Sequence, residues 1–182
     1  GYKGIDSAEL QFDNFRIPRS RLIGDEVGNG LKHALSGLEL GRINVAARGV
    51  GVAQAALDQA VSYSQLRKTF GQPICEHQSI QIKLAEMATK VEAGKLLVEQ
   101  AARAFDRGER CDMEAGMAKL FGSEAALFCS LESMRIHGAY GYSTEFDVER
   151  LYRDAPLMAI GEGTNELQRI LIARQLIARN PI

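Results

Sequence analysis

An excess of charge of either sign is the first thing this sequence lacks. Its 182 residues carry 22 Lys plus Arg against 23 Asp plus Glu, scattered along the chain, for a formal net charge of −1. No broad electrostatic footprint for a nucleic acid or an anionic lipid surface follows from that balance. Long apolar runs are missing as well: no stretch approaches the roughly 20 apolar residues that a membrane-spanning helix needs. The opening residues, Gly1-Tyr-Lys-Gly, show neither the charged nor the apolar part of a secretory leader. Cysteine is scarce. Cys75, Cys111 and Cys129 are an odd number without C-x-x-C spacing, so neither a disulfide framework nor a zinc site is expected, and reduced, cytoplasmic surroundings fit best. His33, His77 and His137 lie on separate segments outside any H-E-x-x-H or E-x-x-H arrangement, and no metal site is expected. Gly49-Val-Gly51 lacks the third glycine and the preceding strand of a dinucleotide fingerprint, and no G-x-S-x-G elbow supports nucleophilic acyl transfer. An initiator Met is absent too, and the chain reads as a piece of a longer polypeptide.

What is present is a core. Hydrophobic residues make up 46% of the chain, enough for one domain or one domain plus a short piece of another. Residues 1–24 differ from the rest. Ala8-Glu-Leu-Gln-Phe12 alternates, Asp13-Asn14 signals a turn, and Phe15-Arg-Ile-Pro18 ends in a residue that cannot donate to a ladder. One or two short strands are expected there, as a β remnant ahead of a glycine-rich hinge at 24–30. Beyond it, Leu35, Leu38, Ile43, Ala46, Val50 and Ala53 recur at three- and four-residue spacing, the stripe of a long helix over 31–66 with Gly41 as its one weak point. Further helices are expected at 77–107, at 112–137 with Asp112 as N-cap, and at 162–178, with a short helical piece at 148–154 leading to Pro156. The expected architecture is an all-α antiparallel four-helix bundle over 25–182, behind a β remnant over 1–24.

Three segments stand out, and each admits a structural explanation. Arg67-Lys-Thr-Phe-Gly-Gln-Pro-Ile74, followed by His77 and Gln78, serves equally as a basic loop between helices. Arg135-Ile-His-Gly138-Ala-Tyr-Gly141 serves equally as a helix terminus with left-handed glycines. In Gly161-Glu162-Gly163-Thr164-Asn-Glu166 a helix start explains most residues, yet a carboxylate between two glycines is unusual for a cap, because its neighbours bury nothing and admit a ligand to the backbone.

These segments, with Gly1-Tyr-Lys-Gly4 through Phe15-Arg-Ile-Pro18 and the Leu-Glu39-Leu-Gly-Arg42 stretch, together resemble the acyl-CoA dehydrogenase family in order and over essentially the whole chain. The resemblance implies the last strands of a middle β-domain followed by a C-terminal helical bundle. It implies α,β-dehydrogenation of an acyl-CoA thioester to the trans-2-enoyl-CoA with FAD as cofactor, as in fatty acid metabolism, and Glu162 as the catalytic base. An α-C–H is a weak acid, so such a base needs a pocket that lifts its pKa and donors near the thioester oxygen. Some relatives carry the base near the position of Gly41, where glycine cannot serve. Arg67, Phe70, Ile74, His77 and Gln78 match contacts to a flavin held mainly by the neighbouring subunit, so a homo-oligomer, dimer or tetramer, is implied. Gly138 and Gly141 match the glycine-rich segment on the same dinucleotide, and Thr164 and Glu166 match contacts beside the base. Glu39 and Arg42 match the substrate channel, with Gly161 and Gly163 flanking the base on the acyl side.

This chain also departs from the pattern. Arg135 stands where many relatives have a glutamine against the dinucleotide, and so matches a cofactor contact, while Glu166 stands where some have glutamine, and the two could pair. Gly161 replaces a tyrosine common in straight-chain relatives, which points to a roomier acyl pocket. The implied partners are an acyl-CoA, an electron-transfer flavoprotein or similar acceptor, and further copies of the chain. Two alternatives stand beside this reading: an acyl-CoA oxidase-like flavoenzyme of the same fold, and, for the fragment as it stands, an inactive helical oligomerisation module without FAD.

Overall fold

The computed structural model describes residues 1–24 and 26–182. Five helices make up its body: α1 (Gly30–Leu66), α2 (Gln78–Asp106), α3 (Asp112–His137), α4 (Val148–Ile160) and α5 (Asn165–Arg179). Between α1 and α2 sits an antiparallel hairpin of two short strands, β1 (Lys68–Thr69) and β2 (Gln72–Pro73), in which Lys68 faces Pro73 and Thr69 faces Gln72.

The helix at the centre is α3, which buries alanines, serines and glycines on several sides. Small side chains let its neighbours close in. A Cβ on Gly49 of α1 would fall 2.7 Å from the Gly122 carbonyl oxygen, and one on Gly122 would fall 2.9 Å from that of Ala46. The backbones of α1 and α3 therefore touch, and only glycine permits it. Contacts between α1 and α3 advance together along both helices, from Arg42 with Asp112 through Gly49 with Gly122 to Tyr63 with His137, so these two run parallel. Helix α2 runs against both: Val50 and Phe121 meet at Gly94, and Lys83 pairs with Glu132.

The antiparallel bundle expected from periodicity is present, with its fourth leg in two pieces. Phe146, just ahead of α4, packs 5.6 Å from the His137 ring, while Ala159 near the end of α4 lies beside Lys119. Helix α5 then continues along α3 from Asn165, beside Ser123, to Arg179, paired with Glu114. Both pieces run opposite to α3, and residues 161–164 form the break between them. Helix α4 is longer than its expected end at 154, because it continues through Pro156 to Ile160. Pro156 is exposed, so the carbonyl one turn back that loses its donor faces water, and the helix survives. Helix α1 passes Gly41 without interruption. The third helix begins behind Cys111 rather than being capped by Asp112, which is its first residue.

The strands expected within residues 1–24 do not form among the described residues. That segment is exposed and largely extended, with one 3-10 turn at Arg19–Arg21 and the expected turn at Asn14, whose φ is +48°. A strand needs a ladder partner, and the two alternating stretches do not pair with each other. Its contacts with the bundle include Arg48 donating to the Tyr2 hydroxyl at 3.0 Å and Arg153 donating to the Gly1 carbonyl at 2.8 Å. The domain boundary expected at 24/25 involves Asp25, which lies outside the described residues. No helix among the described residues is long and apolar enough to cross a membrane.

Candidate active site

The break between α4 and α5 carries Glu162. Helix α4 ends as the Gly161 N–H reaches the Leu157 carbonyl at 2.8 Å, and Gly161 itself turns extended. Glu162 then takes φ +56° and Gly163 φ +86°. A left-handed glutamate is uncommon, and a strained backbone of this kind persists only where its surroundings enforce it. Gln168 supplies part of that enforcement: its side-chain amide donates to the Glu162 carbonyl at 3.3 Å and to the Gly163 carbonyl at 3.2 Å. Thr164 caps α5, its hydroxyl accepting from Leu167 N–H at 3.5 Å.

This turn aims the Glu162 side chain at α1. A Cβ on Gly41 would fall 2.5 Å from one carboxylate oxygen of Glu162 and 3.3 Å from the other. Gly41 is thus the floor on which the carboxylate rests. Glu162 is half-buried and opens onto a cavity of about 430 Å³, lined on one side by Leu38 and Arg42 of α1 and on the other by Leu167, Gln168 and Leu171 of α5. The cavity also holds Ile170 among its apolar lining, and Arg174 and Gln175 at its edge, so the carboxylate faces a pocket of mixed character. Arg42 shares this cavity. Glu39 faces elsewhere: one of its oxygens accepts from the Cys111 N–H at 3.1 Å and from the Cys111 thiol at 3.1 Å, tying α1 to the start of α3. Burial, followed by the Glu39 carboxylate, pushes the Cys111 thiol up to about 12, so it stays protonated.

A second cleft, of about 360 Å³, lies at the other end of α3 between the hairpin and residues 136–140. Arg67, Ile74, His77 and Gly138 all line it. His77 is held by the hairpin, with Nε2 2.8 Å from the Thr69 hydroxyl and Nδ1 3.2 Å from the Gln72 side-chain nitrogen, so Gln72 donates to Nδ1 and Nε2–H donates to Thr69. Phe70, at φ +51°, stands 98% exposed at the hairpin tip with its ring edge-on to His77. Gln78 opens α2 and is exposed beside the cleft. The inner wall is His137, stacked on Tyr63 at 4.2 Å, with Nδ1 2.7 Å from the Ser133 carbonyl. Burial pushes its pKa below the usual histidine value. A guanidinium, an exposed aromatic ring and the open Cβ position of Gly138 suit one end of an anionic, aromatic dinucleotide.

The remaining expected residues divide between these two ends. Gly141 is buried against the backbone, where a Cβ would meet the Met134 carbonyl oxygen at 2.4 Å, so its lack of a side chain serves packing. The Arg135–Glu166 pair is not formed: Arg135 pairs with Glu132, and Glu166 lies 4.0 Å from Arg169. Geometry explains this, because residue 135 is near the cleft end of α3 while Glu166 follows Asn165, the first residue of α5, which lies beside Ser123. Glu166 is exposed, and its own backbone N–H, then the Thr164 hydroxyl, hold its carboxyl below the usual range. Sequence reasoning missed Gln168, Tyr63 and His137. The signal for Gln168 was a buried-face position one turn into an expected helix; that for the ring pair was an aromatic at the end of one stripe and a histidine at the end of another.

Comparison with known proteins gives a consistent picture. The family model described as acyl-CoA dehydrogenase, C-terminal domain, matches residues 28–177. An acyl-CoA dehydrogenase of Bacillus subtilis is 46% identical over 177 residues, which is 97% of this chain and 46% of that protein. A 3-(aryl)acrylate reductase of Clostridium sporogenes is 45% identical over 177 residues, 97% of this chain and 47% of the relative. Among solved structures, butyryl-CoA dehydrogenase from Megasphaera elsdenii shares 43% identity with a TM-score of 0.81, over 84% of this chain and 40% of that one. The chain thus spans about half the length of the curated relatives it matches.

Proposed function

Because this chain belongs to the acyl-CoA dehydrogenase family through its C-terminal domain, we propose that it is the base-bearing part of an FAD-dependent enzyme that desaturates an acyl-CoA thioester at its α and β carbons. The observation that carries the reading is the left-handed turn at Glu162, which rests the carboxylate on Gly41 at the mouth of a cavity whose leucine and isoleucine walls are edged by Arg42, Arg174 and Gln175.

In this reading Glu162 takes the α-proton of the bound thioester, and Arg42 and the leucines of α1 and α5 bound the acyl end. FAD, when bound, supplies the acceptor for the β-hydrogen and its electron pair, and the product is the trans-2-enoyl-CoA. Gly161 and Gly163 keep bulk away from the carboxylate on both sides, which favours a branched or ring-bearing acyl group over a narrow straight one. Thr164 and Glu166 flank the base and would meet the nearer flavin.

Arg67, Phe70, Ile74, His77, Gln78 and Gly138 form a separate group. Along α3, Lys119 beside the base turn and His137 at the cleft are about 27 Å apart at 1.5 Å per residue. That spacing supports two flavins serving one chain, one at each end, and hence a homo-oligomer in which the cleft receives the dinucleotide of a neighbouring copy. Apolar side chains left exposed on α1 and α5, among them Leu35, Leu40, Ile170 and Ile177, support the same association. The natural electron acceptor would be an electron-transfer flavoprotein. A domain division at 24/25 belongs to the same reading and is supported by a family match that begins at residue 28.

Anaerobic addition of a saturated acyl-CoA to the flavin-loaded full-length enzyme tests the reading. Bleaching of the flavin absorbance is expected, with slow recovery when air is admitted. An unchanged spectrum across short, branched and aromatic acyl-CoAs would refute dehydrogenation, and rapid recovery with peroxide release would assign the enzyme to the oxidases.

A further inference from the structure

Lys119 is the largest side chain this fold buries completely, and no step of the proposed chemistry uses it. A buried ammonium is costly to hold unless its N–H groups are met, so its neighbours should explain its presence. Among the described residues it forms no salt bridge. Nζ donates instead to the Ala159 carbonyl at 2.9 Å and to the Asn165 side-chain oxygen at 2.9 Å. Ala159 is the penultimate residue of α4, and Asn165 is the first of α5. One amine from the central helix therefore grips both ends of the break, with Glu162 strung between them. Ser123, one turn further along α3, places its hydroxyl 3.0 Å from the same Asn165 oxygen.

The electrostatics suit this arrangement. Ala159 O is one of the unpaired carbonyls that give α4 its negative end, where a cation is favoured. The positive end of α5 would repel the ammonium, but Asn165 turns its side-chain oxygen toward Nζ and screens it. Burial lowers Lys119 to about 8, the Glu166 carboxylate opposes that fall and the Arg42 guanidinium adds to it, so the amine still carries its proton at neutral pH.

Resting on the assignment of Glu162 as base, we propose that Lys119 is its positioning residue: by bridging Ala159 O and Asn165 Oδ1 it fixes the span of the break and so maintains the left-handed turn that sets the carboxylate on Gly41. Gln168 holds the two carbonyls inside the turn, and Lys119 holds the helix ends outside it. With the outer clamp gone, the turn can relax toward ordinary φ values, and the carboxylate leaves the cavity mouth without any loss of binding groups. Sub-ångström misplacement of a base is enough to slow its chemistry severely.

The experiment compares wild type with Lys119→Met, an unbranched side chain of similar length without charge or donor, in the flavin-loaded full-length enzyme. Amide hydrogen exchange should quicken at residues 161–166 while α1 and α2 keep their protection. Anaerobic flavin bleaching at saturating acyl-CoA should slow by about tenfold or more, with half-saturation within about twofold of wild type, the pattern of a group acting on the chemical step alone. Should Lys119→Met fail to fold, Asn165→Ala removes the α5 arm of the clamp and should give the same pattern, and Asn165→Asp, which keeps an oxygen for Nζ, should restore wild-type exchange and rate. A folded Lys119→Met variant that bleaches at the wild-type rate with unchanged exchange at 161–166 overturns the proposal, whatever its melting temperature. The underlying assignment fails separately: if Glu162 is not the base, Glu162→Gln alone bleaches normally.

Discussion

The two ends of α3 are built on opposite plans. At the Glu162 end the polar groups are enclosed: the Gln168 side-chain nitrogen is bound to two carbonyls, Lys119 is fully buried, and the half-buried carboxylate sits against a glycine that leaves no slack. At the cleft end polar groups stand on a two-stranded hairpin, Phe70 is almost wholly exposed, and the buried titratable groups are Glu132, ion-paired with Lys83 and Arg135, and a neutral imidazole between aromatic rings. A group that must move a proton needs a fixed position, while a surface that receives a large ligand needs an accessible one. On the proposed reading, the bundle would provide the first through its interior and the second through a loop.

If that division is right, the largest effect separates chemistry from binding at the first end. Glu162→Gln keeps the size and hydrogen-bonding reach of the side chain but cannot take a proton. In the full-length enzyme it should lower the rate of anaerobic flavin bleaching by about 10²–10⁴-fold and leave FAD content and acyl-CoA binding nearly intact. A Gln variant that bleaches like wild type would move the base into another part of the enzyme and leave Glu162 as the terminus of a helix.

At the second end the converse is expected. Arg67→Ala should weaken flavin retention by about 10–100-fold, the range for losing charge-assisted hydrogen bonds to a phosphate, measured by dialysis against graded FAD. Its melting temperature should hardly move, because an exposed loop arginine with no side-chain partner among the described residues contributes little to stability. Normal retention would leave the cleft without a cofactor role.

The two ends can act as separate sites only if the helices joining them are rigid, and the joint is Gly49 against Gly122. Gly49→Ala drives a methyl into backbone and should cost about 1–3 kcal/mol. Gly51→Ala, one residue pair away on an open face of the same helix, should instead add about 0.5–1 kcal/mol through helix propensity. Calorimetry of the two variants in the full-length protein reads the contrast directly. Equal effects of the same sign would mean that the α1–α3 contact is not tight.

The helices were legible because their apolar spacing is local, as with Ile43, Ala46, Val50 and Ala53, and their ends missed by a few residues where tertiary context decided. Pro156 reads as a stop, yet it falls on the exposed face of α4, where solvent is free to take the place of the lost hydrogen bond. The alternating stretches before Gly24 read as strands, but alternation specifies a face and cannot supply a partner. At the site, Glu162 was visible through its flanking glycines and the family resemblance. Its setting was not: that Gly41 lies beneath the carboxylate depends on contact between residues 121 positions apart, and Glu39, two residues before that floor, turned out to tie α3 instead. Lys119 reads in sequence as one more charge on an amphipathic helix, and only the packing of α4 and α5 around it reveals that it is enclosed.

The smallest effect concerns the buried imidazole at the cleft end. His137 donates Nδ1–H to the Ser133 carbonyl, stacks on Tyr63 and meets the edge of Phe146, so burial lowers its folded pKa below the ordinary 6.5. The sign follows from which state binds the proton first. On acidification the unfolded chain protonates near 6.5 while the folded chain does not, so the stability His137 contributes is intact above that pH and is lost as pH falls through it toward the folded value. His137→Phe retains a ring of similar size for the stack and removes the titration. The melting temperature of wild type should therefore fall faster than that of the variant between about pH 7.5 and 5.5, by a few degrees at most, since 1 kcal/mol shifts a chain of this size by about 2–4 °C. Carboxylates and other histidines titrate alike in both proteins and cancel in the difference. Parallel curves would mean that His137 accepts a proton in place, and the cleft would then present a second cation beside Arg67 rather than an apolar wall.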